Sequence, residues 1–152
     1  MRNRERLRLQ RGFTLIEMMI VVAIIAILVS ILVPNFIRAR AQAQTAACEA
    51  NLKEIATALE LYETDNEKYP SSGTVNAGNT DLQPYLKQTP VDPAAGTGAY
   101  YTFTVTGGGA SSATYTIVCP GVHDPGTLQN ISPNTTLTHI QYTSAAGFSA
   151  SN

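Results

Sequence analysis

Residues 13–33, FTLIEMMIVVAIIAILVSILV, constrain this chain more than any other stretch. One charge, Glu17, stands among their twenty-one positions. A helix of that length reaches roughly 30 Å, the thickness of a bilayer's hydrocarbon core. Lipid offers loose backbone groups no partner, so the run must be helical despite its many Val and Ile residues. Arg2, Arg4, Arg6, Arg8 and Arg11 precede it, and Pro34 closes it. Such a basic flank keeps an N-terminus on the cytoplasmic side. A plain anchor or an uncleaved signal peptide is the simplest reading. Glu17 argues against it, because a carboxylate five residues into an apolar run costs several kcal/mol unless a partner meets it. The stretch GFTLIE also sits at the basic-to-apolar boundary, and no small-x-small cleavage site follows the apolar core.

Gly12, Phe13, Thr14, Leu15, Ile16 and Glu17 resemble the processing and methylation motif of type IV prepilins and of type II secretion pseudopilins. The resemblance extends through Pro34 and the helix after it, over roughly residues 11–65. It implies cleavage between Gly12 and Phe13 by a prepilin peptidase, then methylation of the Phe13 amine. It implies a single-pass precursor in the inner membrane, later stacked by an assembly platform and a cytoplasmic ATPase into a helical homo-oligomer. The filament is an extracellular pilus, or a periplasmic pseudopilus in the alternative. No catalysis by the chain and no cofactor are implied. Glu17 either snorkels toward headgroups or pairs with a neighbour's Phe13 amine, and the motif favours the pair, which would set axial register. Pro34 removes one helical hydrogen bond, and relatives of this fold lose helix there on assembly.

Residues 38–65 continue the helix in Ala, Gln, Glu and Leu. Leu52, Ile55, Leu59 and Tyr62 form an apolar stripe at spacings of 3, 4 and 3. A helix from Phe13 to about Asp65 would be near 80 Å long, far beyond a globular norm. The stripe needs a cover, and the C-terminal half supplies one. Pro70 ends the helix, and Asp81 is a candidate cap for a short helical turn with Leu82, Tyr85 and Leu86 inward. Residues 100–106, 114–119 and 136–143 alternate as strands. The expected covered residues are Tyr101, Phe103, Ile117 and Leu137. Residues 144–152 read as a frayed end. The expected fold is α+β and pilin-like: one long helix, transmembrane in its first half, packed on an antiparallel sheet of three to four strands. Its parts are leader 1–12, assembly helix 13–34, amphipathic helix 35–65, loop region 66–99, and sheet with tail 100–152.

Cys48 and Cys119 are the only cysteines. They are a candidate disulfide, which would add about 2–4 kcal/mol. Cys48 precedes the stripe, so two buried thiols remain the other reading. Cys119, His123, Asp124 and His139 match no strong ligand pattern, so no metal site is expected. Major pseudopilins carry calcium in a C-terminal loop; here Asp124 is the one acid after Asp92, which leaves too few carboxylates. Asn130 and Asn134 open glycosylation sequons.

Without residues 1–12, ten acidic side chains face five basic ones. That is no nucleic-acid footprint, and no direct nucleic-acid partner is expected. No nucleophile–base–acid set converges, so an enzyme is not expected. The low calcium capacity and the lack of tryptophan put a type IV pilus subunit first. A type II secretion pseudopilin, or a minor pilin of a DNA-uptake system, is the alternative.

Overall fold

The computed structural model describes residues 12–95, 98–107, 113–123 and 139–151. The residues before Gly12, Asp124, both sequons and Leu137 lie outside them. The chain divides into two compact units, residues 1–38 and 39–152. Helix α1, Leu15–Asn66, contributes to both.

In the first unit the helix contains an 18-residue window of mean hydropathy 3.0, none of it buried. Length and composition suit it to anchor a precursor in a membrane by a single pass. The Ser30 hydroxyl donates to the Ile27 carbonyl at 2.7 Å, which hides a polar group inside its own helix. Pro34 lies within α1 and does not end it.

In the second unit α1 carries the expected stripe. Leu52, Ile55 and Leu59 are buried, and Tyr62 packs half-buried beside them. The stripe begins earlier than the apolar pattern indicated, at Thr45 and Cys48, both buried. Asn66 ends the helix, and Glu67 takes a left-handed φ of 56° just past it. Residues there leave the helical path ahead of Pro70.

Five strands follow where three to four were expected. They are β1 Gly73–Thr74, β2 Thr102–Thr106, β3 Thr114–Val118, β4 His139–Thr143 and β5 Gly147–Ser151. Their order in the sheet is their order in the chain, and every pair is antiparallel. Register places Phe103 opposite Ile117 and Val105 opposite Tyr115. One face of β2 and β3 is therefore apolar, while Thr102, Thr104, Thr106 and Thr114 face out and are exposed. Tyr101, Phe103, Tyr115 and Ile117 are buried in one cluster with the helix stripe. Each such side chain contributes roughly 1.5–3 kcal/mol by leaving water.

Two expectations are corrected here. The tail is paired: Tyr142 faces Phe148 across β4 and β5, their rings 5.1 Å apart. In β4 the fully buried residue is Ile140; Leu137, expected on the covered face, lies outside the described residues. The short turn is a 3-10 helix, Gln83–Tyr85, with Leu82 and Leu86 buried. Asp81 does not cap it; the Leu82 amide donates instead to Asn79 Oδ1 at 3.3 Å.

Candidate functional site

Two constellations carry chemistry, one in each unit. The first is the N-terminal motif. Gly12 has open space where a side chain would stand, and Phe13 is 77% exposed. The first amides of a helix lack acceptors. Thr14 precedes α1, and its hydroxyl oxygen accepts from the Glu17 amide at 3.3 Å. Glu17 reaches back: its Oε2 accepts from the Thr14 amide at 2.9 Å and from the Thr14 hydroxyl at 2.7 Å. This is a capping box. It went unread above, although T-x-x-E before an apolar run is its ordinary signature. Within one subunit the Glu17 carboxylate is already bonded.

The second constellation lies where α1 meets the sheet. Cys48 comes from α1, four residues before Leu52. Asp92 follows Val91, whose bridge to Tyr100 fixes the loop, and its amide donates to the Ala99 carbonyl at 3.3 Å. Cys119 leaves the end of β3, with its amide donating to the Ile140 carbonyl at 2.9 Å. His123 follows four residues on. Cys48 and Cys119 are disulfide-bonded.

All four residues are buried. Asp92 Oδ1 accepts from the amides of Ala94 at 2.6 Å and Ala95 at 3.2 Å. Its Oδ2 accepts from the Gly121 amide at 2.9 Å and lies 2.6 Å from Cys119 Sγ. A Cβ on Gly121 would stand within 2.9 Å of the carboxyl atoms, so only glycine allows this approach. His123 Nε2 is 3.0 Å from Cys119 Sγ, and its Nδ1 is 3.4 Å from the Thr45 hydroxyl. Burial lowers the His123 pKa; the Asp92 charge works against that, and His139 adds to it. One ligand atom from each of Cys48, Asp92, Cys119 and His123 lies within 4.8 Å of all the others.

The geometry thus gathers four residues, Cys48, Asp92, Cys119 and His123, that were not grouped as one set from the sequence. Of the constellation weighed from sequence, Cys119 and His123 meet, and Asp124 lies outside the described residues. His139 turns its Nδ1 to the Cys119 carbonyl at 3.1 Å, so that nitrogen carries the hydrogen. Cys48 was expected as the partner of Cys119, whereas Asp92 was not expected here because no local motif joins it to them.

Residues 7–33 match the family described as the prokaryotic N-terminal methylation motif. Residues 35–127 match the type II secretion system protein G family. The chain belongs to the protein G family. Members of it are pilin and pseudopilin subunits, structural rather than catalytic. The type II secretion system core protein G of Pseudomonas aeruginosa is 39% identical over 98 residues, 57% of this chain and 69% of that protein. The type IV wide pilus major component PilA4 of Thermus thermophilus is 44% identical over 66 residues, 43% of this chain and 50% of that protein. The type IV major pilin PilA of Myxococcus xanthus is 48% identical over 59 residues, 39% of this chain and 27% of that protein. The protein G relative thus aligns over a longer stretch than either pilin, and the pseudopilin alternative is favoured over the pilus reading that stood first.

Proposed function

We propose that this chain is a filament-forming pseudopilin of a type II secretion system. The observation that carries this reading is the protein G match over residues 35–127, which lies beyond the methylation motif. In this reading residues 1–12 are a leader, cut by a prepilin peptidase between Gly12 and Phe13, and the new Phe13 amine is methylated. Residues 13–34 hold the precursor in the inner membrane with its N-terminus cytoplasmic. They later form the core of a helical homo-oligomer in the periplasm, built by an assembly platform and a cytoplasmic ATPase. Residues 35–65, 66–99 and 100–152 are the amphipathic helix, loop and sheet parts of the head. Pro34 lets the helix loosen on assembly.

Glu17 is the assembly residue. Cleavage creates a cation at Phe13, and a neighbour's Glu17 can neutralise it. Both charges lose water in a filament core, so the pair sets axial register more than it adds stability. The capping box supports this order of events, because it satisfies the carboxylate until an amine replaces the Thr14 donors.

Deleting the gene in its own host should stop release of secreted enzymes into the medium and leave surface pili intact. Lost pili with normal secretion would return the chain to the type IV pilus.

A further inference from the structure

The bridge between Cys48 and Cys119 leaves one contact unexplained. Asp92 is 1% exposed, and its Oδ2 stands 2.6 Å from Cys119 Sγ. A bridged sulfur carries no hydrogen, so oxygen and sulfur lone pairs face each other there. Three amides already satisfy the Asp92 carboxylate, so the close sulfur adds repulsion to a group that needs no further donor. A cation bound by both atoms in the reduced chain would turn this repulsion into shared ligation. It would also satisfy His123 Nε2, which points at the same sulfur from 3.0 Å.

We propose that the dithiol form of this chain binds one zinc ion through Cys48 Sγ, Asp92 Oδ2, Cys119 Sγ and His123 Nε2. Four protein ligands and no access to bulk water are the marks of a structural zinc site. Tetrahedral zinc bonds of about 2.0–2.3 Å put ligand atoms roughly 3.3–3.8 Å apart, so once the bridge is reduced Asp92 Oδ2 and His123 Nε2, now 2.6 and 3.0 Å from Cys119 Sγ, must draw back by roughly 0.5–1 Å to admit the ion. Two thiolates and an imidazole suit zinc and exclude calcium or magnesium, which require oxygen ligands.

The surroundings fit a metal centre. The amides of Ala94 and Ala95 pin Asp92 Oδ1 and leave Oδ2 toward the sulfur. Thr45 Oγ1 lies 3.4 Å from His123 Nδ1, the outer contact that orients a ligating imidazole. Gly121 gives the carboxylate its room and an amide. Binding displaces one proton from each thiol and transfers no electron. The site holds two thiolates and one carboxylate against Zn²⁺, a net charge of −1, eased by three amide donors. The bridged chain lacks both thiolates and cannot hold the ion.

The test uses the full chain in detergent, stripped of metal and kept under a phosphine reductant. Zinc is titrated in, stoichiometry is read by non-denaturing mass spectrometry, and the thiols are challenged with an alkylating reagent. One zinc per chain is expected, with alkylation slowed at least about tenfold. His123→Gln and Asp92→Asn should each weaken binding about tenfold or more while circular dichroism keeps the helix and sheet signals. The oxidised chain should take up none. A reduced chain that loses its fold without zinc and regains it with zinc also supports the site. The proposal is overturned if reduced wild type binds no zinc, folded or not. It is equally overturned if both variants bind as tightly as wild type, since the ion would then sit on the thiolates alone.

Discussion

Thr14 and Glu17 hold each other in a closed pair at the start of the helix, with Glu17 Oε2 2.7 Å from the Thr14 hydroxyl. The carboxylate thus has two uses that substitutions can separate. Glu17→Gln keeps an oxygen that can accept from Thr14 and removes the charge. Glu17→Val removes both. Both variants should be cleaved after Gly12, stay in the membrane and enter filaments poorly. Thr14→Val should loosen the first turn by about 1 kcal/mol, seen as faster amide exchange at Glu17, and still assemble. Mass spectrometry of membrane and sheared-filament fractions reads all three. Glu17→Gln subunits in filaments at wild-type yield would reduce Glu17 to a capping residue.

Gly12→Arg acts earlier. It places a long side chain where the structure has open space and where, in the proposed reading, a peptidase must reach. The chain should then remain at precursor mass, with its leader attached. Processing at the wild-type rate would show that cleavage does not depend on this glycine.

Leu59 is fully buried between helix and sheet. Leu59→Ala should cost 2–5 kcal/mol as a core truncation, and Ile140→Ala a similar amount. Urea unfolding of the full chain in detergent, followed by tyrosine fluorescence, measures both. A loss below about 0.5 kcal/mol would remove the residue from the core.

Gly121→Ala drives a methyl group into the Asp92 carboxylate, whose Oδ2 would lie 2.7 Å from the new Cβ. The carboxylate must move, and the Gly121 and Ala94 amides lose geometry. We expect a loss of about 1–3 kcal/mol in the same assay. An unchanged midpoint would mean the loop yields freely.

Alkali should act through the phenols that the fold holds above their ordinary pKa, Tyr69, Tyr101 and Tyr115 among them. Burial pushes the Tyr101 pKa up to about 12, against the favourable Asn51 hydrogen bond. Burial, then the Glu60 hydrogen bond, pushes Tyr69 up to about 12 as well. A phenol with a higher pKa folded than unfolded keeps its proton longer in the fold. Its contribution is full below the ordinary value of 10.0 and is lost as pH rises toward about 12. Tyrosinate absorbance and the sheet signal should therefore change together between those values. Difference spectra against Tyr101→Phe and Tyr69→Phe pick out each phenol among the seven tyrosines, and ionisation of either near its ordinary value with the sheet intact would contradict the burial.

The fold was largely legible because its two periodicities are strong. The helix stripe recurs at 45, 48, 52, 55, 59 and 62, yet the apolar pattern was read only from Leu52. Thr45 and Cys48 are not bulky hydrophobes, so a pattern of Leu and Ile does not mark them. Strand β5, GFSAS, holds one large apolar residue, and β1 has two residues, too short for any alternation. The buried cluster was legible only in its cysteine pair, which the sequence offers as a candidate disulfide. Cys48 and Cys119 stand 71 positions apart. Asp92 lies between them in a loop whose place only the finished sheet decides.

The sheet grows in the order in which it is made. Each strand pairs with the one synthesised before it, and the helix that covers them is complete before β1 exists. A nascent chain of this kind never waits for a later segment to fill a gap between earlier ones. Helix first and hairpin by hairpin, it can settle as it lengthens, with each new strand closing the edge left by the last.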